Sequence, residues 1–329
     1  MKRRNLRFLS LILVILLSLS VLAGCTTGTD QDTKEPEDPI VEEDGNEVEE
    51  SAFPLEIEDK FGNQAEFEQA PEKIVSLAPS HTEILFALGL GDKVVGIDSN
   101  SNYPEEATEK EVVGDYYGTD LEKIIEMEAD LVLAYGAGNE EDNARLKEAG
   151  IPVLGYMPET IEEVFETIIE IGKITDSLDK ANTLVDEMKA KRDEIVDKVK
   201  DADKVRVFYE IWHEPLQAAG PGSFMDELIN LAGGENIAHD SQAAYAEYDL
   251  EQLIERDPEV YLTAEMTEPI EGEEKITAET IAARPGYEDI TAIKDGRIYL
   301  LDGDIVSRPG PRIIDALELV AKALHEDLF

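Results

Sequence analysis

Four histidines, one cysteine, one tryptophan and a large excess of carboxylates set the chemistry open to this 329-residue chain. The single cysteine, Cys25, allows no intrachain disulfide, no thiolate zinc cluster and no CxxC redox pair. His81, His213, His239 and His325 form no H-x-H, HExxH or histidine-rich loop, so no bare-metal site is expected. Gly220-Pro221-Gly222-Ser223 is neither a GxSxG elbow nor a phosphate-binding loop and reads as a turn into a helix starting at Phe224. Carboxylates are so numerous that chance proximity carries no weight, yet one pair stands apart. Asp120-Leu121-Glu122-Lys123-Ile124-Ile125-Glu126 runs on to Asp130-Leu131-Val132-Leu133, and Asp249-Leu250-Glu251-Gln252-Leu253-Ile254-Glu255 runs on to Glu259-Val260-Tyr261-Leu262 with the same spacing. Each copy puts Asp at a helix N-cap and Glu in the first turn, where the helix dipole favours a carboxylate. The ordinary role of Glu122 and Glu251 is helix-start stabilisation. The sharper one is a matched pair of docking charges for a two-fold partner.

Acidic residues outnumber basic ones by 75 to 29, for a net charge of −46. Phosphate contacts need clustered Lys and Arg, so nucleic acid is excluded as a partner, and electrostatic adhesion to an anionic membrane fails on the same sign. The exception is the amino terminus. Lys2, Arg3, Arg4 and Arg7 precede a nearly uninterrupted apolar run, Phe8 to Leu22, and then Leu22-Ala23-Gly24-Cys25. This is the layout of an export signal over residues 1–24, with an apolar run short for a membrane span. The tetrapeptide resembles a bacterial lipobox, which implies cleavage before Cys25 and lipid on its sulfur and new amino terminus; an uncleaved anchor helix is the alternative. Residues 25–53 are acidic and almost devoid of apolar side chains, and so read as an extended tether.

Helices and strands must then position any site. Leu55–Glu58 and Ala65–Phe67 read as a hairpin, followed by strands at Ile74–Leu77, Val94–Ile97, Leu131–Ala134 and Pro152–Leu154. Helices between them make βαβ units and a parallel sheet over 54–158. Residues 159–201 carry helical periodicity throughout, with at most a break near Thr175-Asp176, and βα alternation resumes over 202–329. The expected fold class is α/β, two Rossmann-like lobes joined by a single long helix. The repeat, strengthened by Glu83-Ile84-Leu85…Gly89 against Glu227-Leu228-Ile229…Gly233, makes the cleft between lobes the natural ligand site.

Several motifs resemble one family in order along the chain. They are Ile74-Val75-Ser76-Leu77-Ala78-Pro79-Ser80-His81-Thr82-Glu83-Ile84-Leu85, Asn102-Tyr103-Pro104, Asp120-Leu121-Glu122, Ala129-Asp130-Leu131-Val132, Gly233-Gly234-Glu235-Asn236, Arg284-Pro285-Gly286-Tyr287 and Ser307-Arg308-Pro309-Gly310-Pro311-Arg312. They are similar to the class III substrate-binding proteins of ABC importers, which serve cobalamin, ferric siderophores and haem, and most like the cobalamin branch. The resemblance implies a monomeric, lipid-anchored protein on the extracytoplasmic face that is no enzyme and has no resident cofactor. Its cargo would be a cobalt corrinoid or an iron complex, handed to a permease dimer with ATPase subunits whose arginines meet Glu122 and Glu251. A lipid-anchored hydrolase is the alternative from a different class.

Carried over from cobalamin-binding relatives, the cleft positions are Asn100, Tyr116, Tyr135, Trp212, Tyr245 and Asp304. An aromatic of those relatives corresponds to Asn100 here, and a small residue to Trp212. Tyr117 adds a flat wall for a corrin or porphyrin face. His213, Arg308 and, as a second histidine, His81 complete the candidates; either histidine could ligate the metal of a cargo.

Overall fold

The computed structural model describes residues 53–115, 117–265 and 275–329. The export signal, Cys25, the tether up to residue 52, and Tyr116 lie outside the described residues. The described residues from Phe53 onward belong to one compact unit.

Its first half begins with a hairpin, β1 (Leu55–Glu58) and β2 (Gln64–Phe67). A six-stranded sheet follows, built from β3 (Ile74–Ser76), β4 (Val94–Asp98), β5 (Glu111–Asp115), β6 (Gly118–Thr119), β7 (Leu131–Tyr135) and β8 (Val153–Tyr156). The order is β6-β5-β4-β3-β7-β8, parallel except for β6. Helices α1 (Pro79–Ala87), α2 (Leu121–Glu126) and α3 (Glu140–Glu148) connect the strands. The uninterrupted apolar run of β7 follows from this, because its two faces enter different cores. Leu131 and Leu133 pack with Ile84 and Leu85, whereas Val132 and Ala134 pack with Ile124 and Leu146. The hairpin is pinned to β8 through Asp59, whose carboxylate accepts the backbone N–H of Phe61 (2.9 Å) and of Gly155 (2.6 Å). Only glycine fits at 155, since a Cβ there would stand 2.0 Å from the carbonyl oxygen of Gly136.

The connecting segment differs from one long helix. It comprises α4 (Ile161–Ile174) and α5 (Leu178–Val199), packed together with the Cβ position of Gly172 against Ala181. Asp176 adopts a left-handed φ of 55°, and Ser177 N–H donates to the Gly172 carbonyl at 2.8 Å. This is a Schellman stop with Asp in the place usually taken by Gly, and it falls at the break the periodicity allows.

The second half holds β9 (Val205–His213), β10 (Leu216–Ala219), α6 (Phe224–Leu231), β11 (Gly234–Asn236), β12 (Tyr245–Glu247), α7 (Leu250–Arg256) and β13 (Val260–Glu265). After it come α8 (Ala278–Ala282), α9 (Thr291–Lys294), β14 (Ile298–Asp302), α10 (Gly303–Val306) and α11 (Ile313–Leu324). The strand order is β12-β10-β9-β13-β14, with β11 also beside β9. The parallel quartet β11-β9-β13-β14 repeats β4-β3-β7-β8 of the first sheet, and α7 stands before β13 as α2 stands before β7. One apolar core runs through both lobes, joining Leu131 and Leu154 to Val207, Leu262 and Leu317 by way of Phe165, Ile168 and Val185. A shared core of this kind resists large hinge motions.

Candidate functional site

Residues that follow the carboxyl ends of strands in the two sheets meet each other, which is where open α/β sheets bind ligands. A charged clamp holds one end of this junction. Glu83 of α1 has a side chain only 1% exposed, and it receives Arg312 Nη2 at 2.7 Å, Arg312 Nε at 3.0 Å and Arg308 Nη1 at 3.2 Å. Arg308 also donates to Asn102 Oδ1 (2.8 Å) and the Asn100 carbonyl (3.1 Å), and it pairs with Asp304 (2.7 Å). Asn102 Nδ2 in turn reaches Asp304 at 2.9 Å, and the Arg312 guanidinium lies 4.0 Å from the centre of the Tyr103 ring. Buried charges persist only when their hydrogen-bonding capacity is met, and here both lobes contribute to meeting it. Asp304 and Arg308, expected to face ligand, are thus engaged with protein groups, and Arg308 is buried.

The aromatic side is built differently. Tyr135, at the end of β7, is 51% exposed, and Tyr245, at the start of β12, is 61% exposed. Partial burial raises both phenol pKa values. Tyr245 and the Glu159 carboxylate add to the shift at Tyr135, and Glu159 adds to that at Tyr245, so the three lie within electrostatic reach across the two lobes. Tyr209 is buried, and its phenol is shifted upward by burial and then by Tyr245. At the tip of β9, Trp212 Nε1 donates to the Glu214 carbonyl (2.9 Å), and its ring lies 5.4 Å from that of His213.

His81 does not open to solvent. It is fully buried in the first turn of α1, edge-on to Tyr156 at 5.8 Å and tilted against Tyr135 at 6.5 Å, with no hydrogen-bond partner for either nitrogen. Burial drives its pKa down to about 4. The imidazole is neutral when folded, while the unfolded chain takes up a proton below about pH 6.5. Its contribution to stability is therefore complete above that pH and is lost as the pH falls towards 4, by about 3 kcal/mol. His81→Leu is expected to flatten the difference in urea-unfolding free energy between pH 7 and pH 4 by that order. An unchanged pH dependence would show that the imidazole is hydrated.

The remaining positions divide. Asn100 is exposed and its backbone N–H donates to Asp98 at 2.8 Å, while Tyr117 occupies the β5–β6 turn with its N–H on Asp115 (2.8 Å). Glu122 and Glu251 are both exposed in the first turns of α2 and α7, whose N-termini are capped by Asp120 and Asp249. No group of three or more His, Cys, Asp or Glu among the described residues could hold a metal ion. Sequence reading overlooked Glu83, Asn102 and Arg312 as a cluster, although all three stand inside the quoted motifs. Their signal is a charged side chain inside an apolar helix, Glu83 before Ile84-Leu85-Phe86. Glu159 lies in a loop with no pattern to mark it.

Residues 74–305 match the model of the family described as periplasmic binding protein. The chain is 34% identical over 96% of its length, and 96% of the relative's, to YvrC of Bacillus subtilis (strain 168), an uncharacterized ABC transporter substrate-binding lipoprotein. It is 31% identical to the vitamin B12-binding protein of Vibrio parahaemolyticus, covering 75% of this chain and 86% of that one. The solved periplasmic heme-binding protein RhuT from Roseiflexus sp. RS-1 superposes with a TM-score of 0.69 at 26% identity, covering 78% of this chain and 99% of that structure.

Proposed function

Because the chain belongs to the periplasmic binding protein family, whose members are binding components of transporters rather than enzymes, we propose that it captures a corrinoid in the interlobe cleft and delivers it to an ABC permease. The observation that carries this reading is the pair of half-exposed tyrosines, Tyr135 and Tyr245, one on each of two lobes joined by the Glu83 clamp and within electrostatic reach of each other. Exposed flat aromatic faces suit a large planar metal chelate, and preorganised lobes lower the ordering cost of binding. Similarity to vitamin B12-binding proteins supports the corrinoid. The heme-binding structural neighbour favours a second reading in the same role, haem or a ferric siderophore.

The test is a calorimetric and absorbance titration of the purified protein with cyanocobalamin, haemin and a ferric hydroxamate. One cyanocobalamin per chain is expected, and binding of haemin or hydroxamate with none of cyanocobalamin would transfer the case to the second reading. Tyr135→Ala combined with Tyr245→Ala should weaken cyanocobalamin binding by about 2–4 kcal/mol, as loss of desolvated aromatic anchors does. Unchanged affinity in that double variant would remove the cleft assignment.

The protein is further proposed to be held at the extracytoplasmic face by lipid on Cys25, with the acidic tether as a spacer. More than one acyl chain is needed for stable anchoring, and no described helix is long and apolar enough to cross a membrane. Cys25→Ser should appear in the soluble fraction or stay unprocessed, and full membrane retention of a correctly cleaved Ser variant would place the anchor elsewhere. Glu122 and Glu251 are proposed as the permease-docking pair.

A further inference from the structure

Beside each proposed docking glutamate the structure exposes an isoleucine. Ile125 is 39% exposed on α2 and Ile254 is 37% exposed on α7. They occupy the same place in the repeat, three residues after Glu122 and Glu251, and so lie on the same helix face one turn along. Neither is needed to seat its helix, because the preceding residues, Ile124 and Leu253, are fully buried and fill that role. A single exposed isoleucine is ordinary. Two at equivalent positions on two lobes, each followed by an exposed glutamate (Glu126 and Glu255), have no explanation in the packing of either lobe.

We infer that Glu122–Ile125 and Glu251–Ile254 are two copies of one composite docking element, each isoleucine entering an apolar pocket beside a basic residue on one subunit of a two-fold permease. This rests on the proposed importer role. The occupant follows from charge and symmetry. The strongly acidic chain presents matched carboxylates around both isoleucines, which calls for a partner offering basic surface twice. Lys123 does not neutralise its neighbour Glu122, for its ammonium is held by Glu111 and by the Val112 carbonyl. Charges of this kind steer and align the complex, while desolvated apolar anchors at its centre hold it.

The experiment measures binding of the protein to its permease–ATPase complex in lipid nanodiscs, in low and high salt. Ile125→Gln and Ile254→Gln should each weaken binding roughly tenfold at either salt concentration, from the apolar area left in water. Ile→Leu at both sites should bind like the parent, and the melting temperature should not move. Glu122→Gln and Glu251→Gln should instead lose affinity mainly at low salt. Parental binding by the double Gln variant at the isoleucines, with binding still lost on glutamate substitution, would overturn the apolar anchors and leave the docking face standing. Parental binding by both sets would overturn the face itself. A concentration-dependent dimer of the protein alone, abolished by the isoleucine substitutions, would reassign the patches to self-association.

Discussion

Glu83→Ala is expected to destabilise the folded protein by about 3–5 kcal/mol, because it strips two arginines of a buried counter-charge. The Glu83 side chain is 1% exposed, and Arg308 and Arg312, which converge on it, are nearly as enclosed. Arg308 would keep Asp304, whereas Arg312 would be left with the Tyr103 ring and the through-space pull of Asp302. The loss would not stay local. Arg308 ties Asn100 and Asn102 of one lobe to Asp304 of the other, so a displaced guanidinium loosens the junction between the lobes. Urea unfolding followed by Trp212 fluorescence checks the magnitude. Glu83→Leu with Arg312→Leu should recover part of the loss, since matched removal of a buried pair costs less than orphaning one partner. A loss under about 1 kcal/mol for Glu83→Ala would mean that the clamp behaves as a solvated surface pair.

Charge reversal at the docking pair should act on delivery alone. Glu122→Arg and Glu251→Arg lie on exposed first turns, so the expected cost to folding is a few tenths of a kcal/mol from the helix dipole. On docking, each introduced arginine would meet the basic residue that the carboxylate attracts, and like-charge juxtaposition costs several kcal/mol per site. The double variant should therefore bind ligand with parental affinity yet support no uptake into vesicles that hold the permease and ATPase. Parental uptake would reduce both residues to helix-start stabilisers, and the repeat would then record only the fold.

The parts of this molecule that were legible in its sequence are those where local pattern and packing agree. Leu131–Ala134 reads as a buried strand because both its faces are covered, and the 120–126 and 249–255 copies read as equivalent helices because each has its cap, its buried anchor and its following strand. The strands β10, β11 and β12 were missed, being short pieces rich in Ala, Gly, Gln and Glu. The left-handed position that ends α4 is taken by Asp176 rather than glycine, and only the periodicity around Thr175-Asp176 hinted at the stop. Among site residues, proximity was the obstacle. Glu83 and Arg308 stand 225 positions apart, and no spacing rule brings them together. Arg308, a candidate ligand residue, is turned inward by partners in the other lobe, Glu83 and Asn102. His81 carried no sign of whether it faces the cleft or lies beneath it, a matter decided by the rings of Tyr135 and Tyr156.

The most direct measurement is ATP-driven accumulation of radiolabelled cyanocobalamin in vesicles that hold the permease and its ATPase, with and without this protein added outside. A corrinoid-capturing subunit should make accumulation depend on the added protein, saturate with it, and fail with the Tyr135→Ala/Tyr245→Ala variant. Equal accumulation in its absence, or none in its presence while haemin or a ferric hydroxamate is imported, would contradict corrinoid capture and delivery.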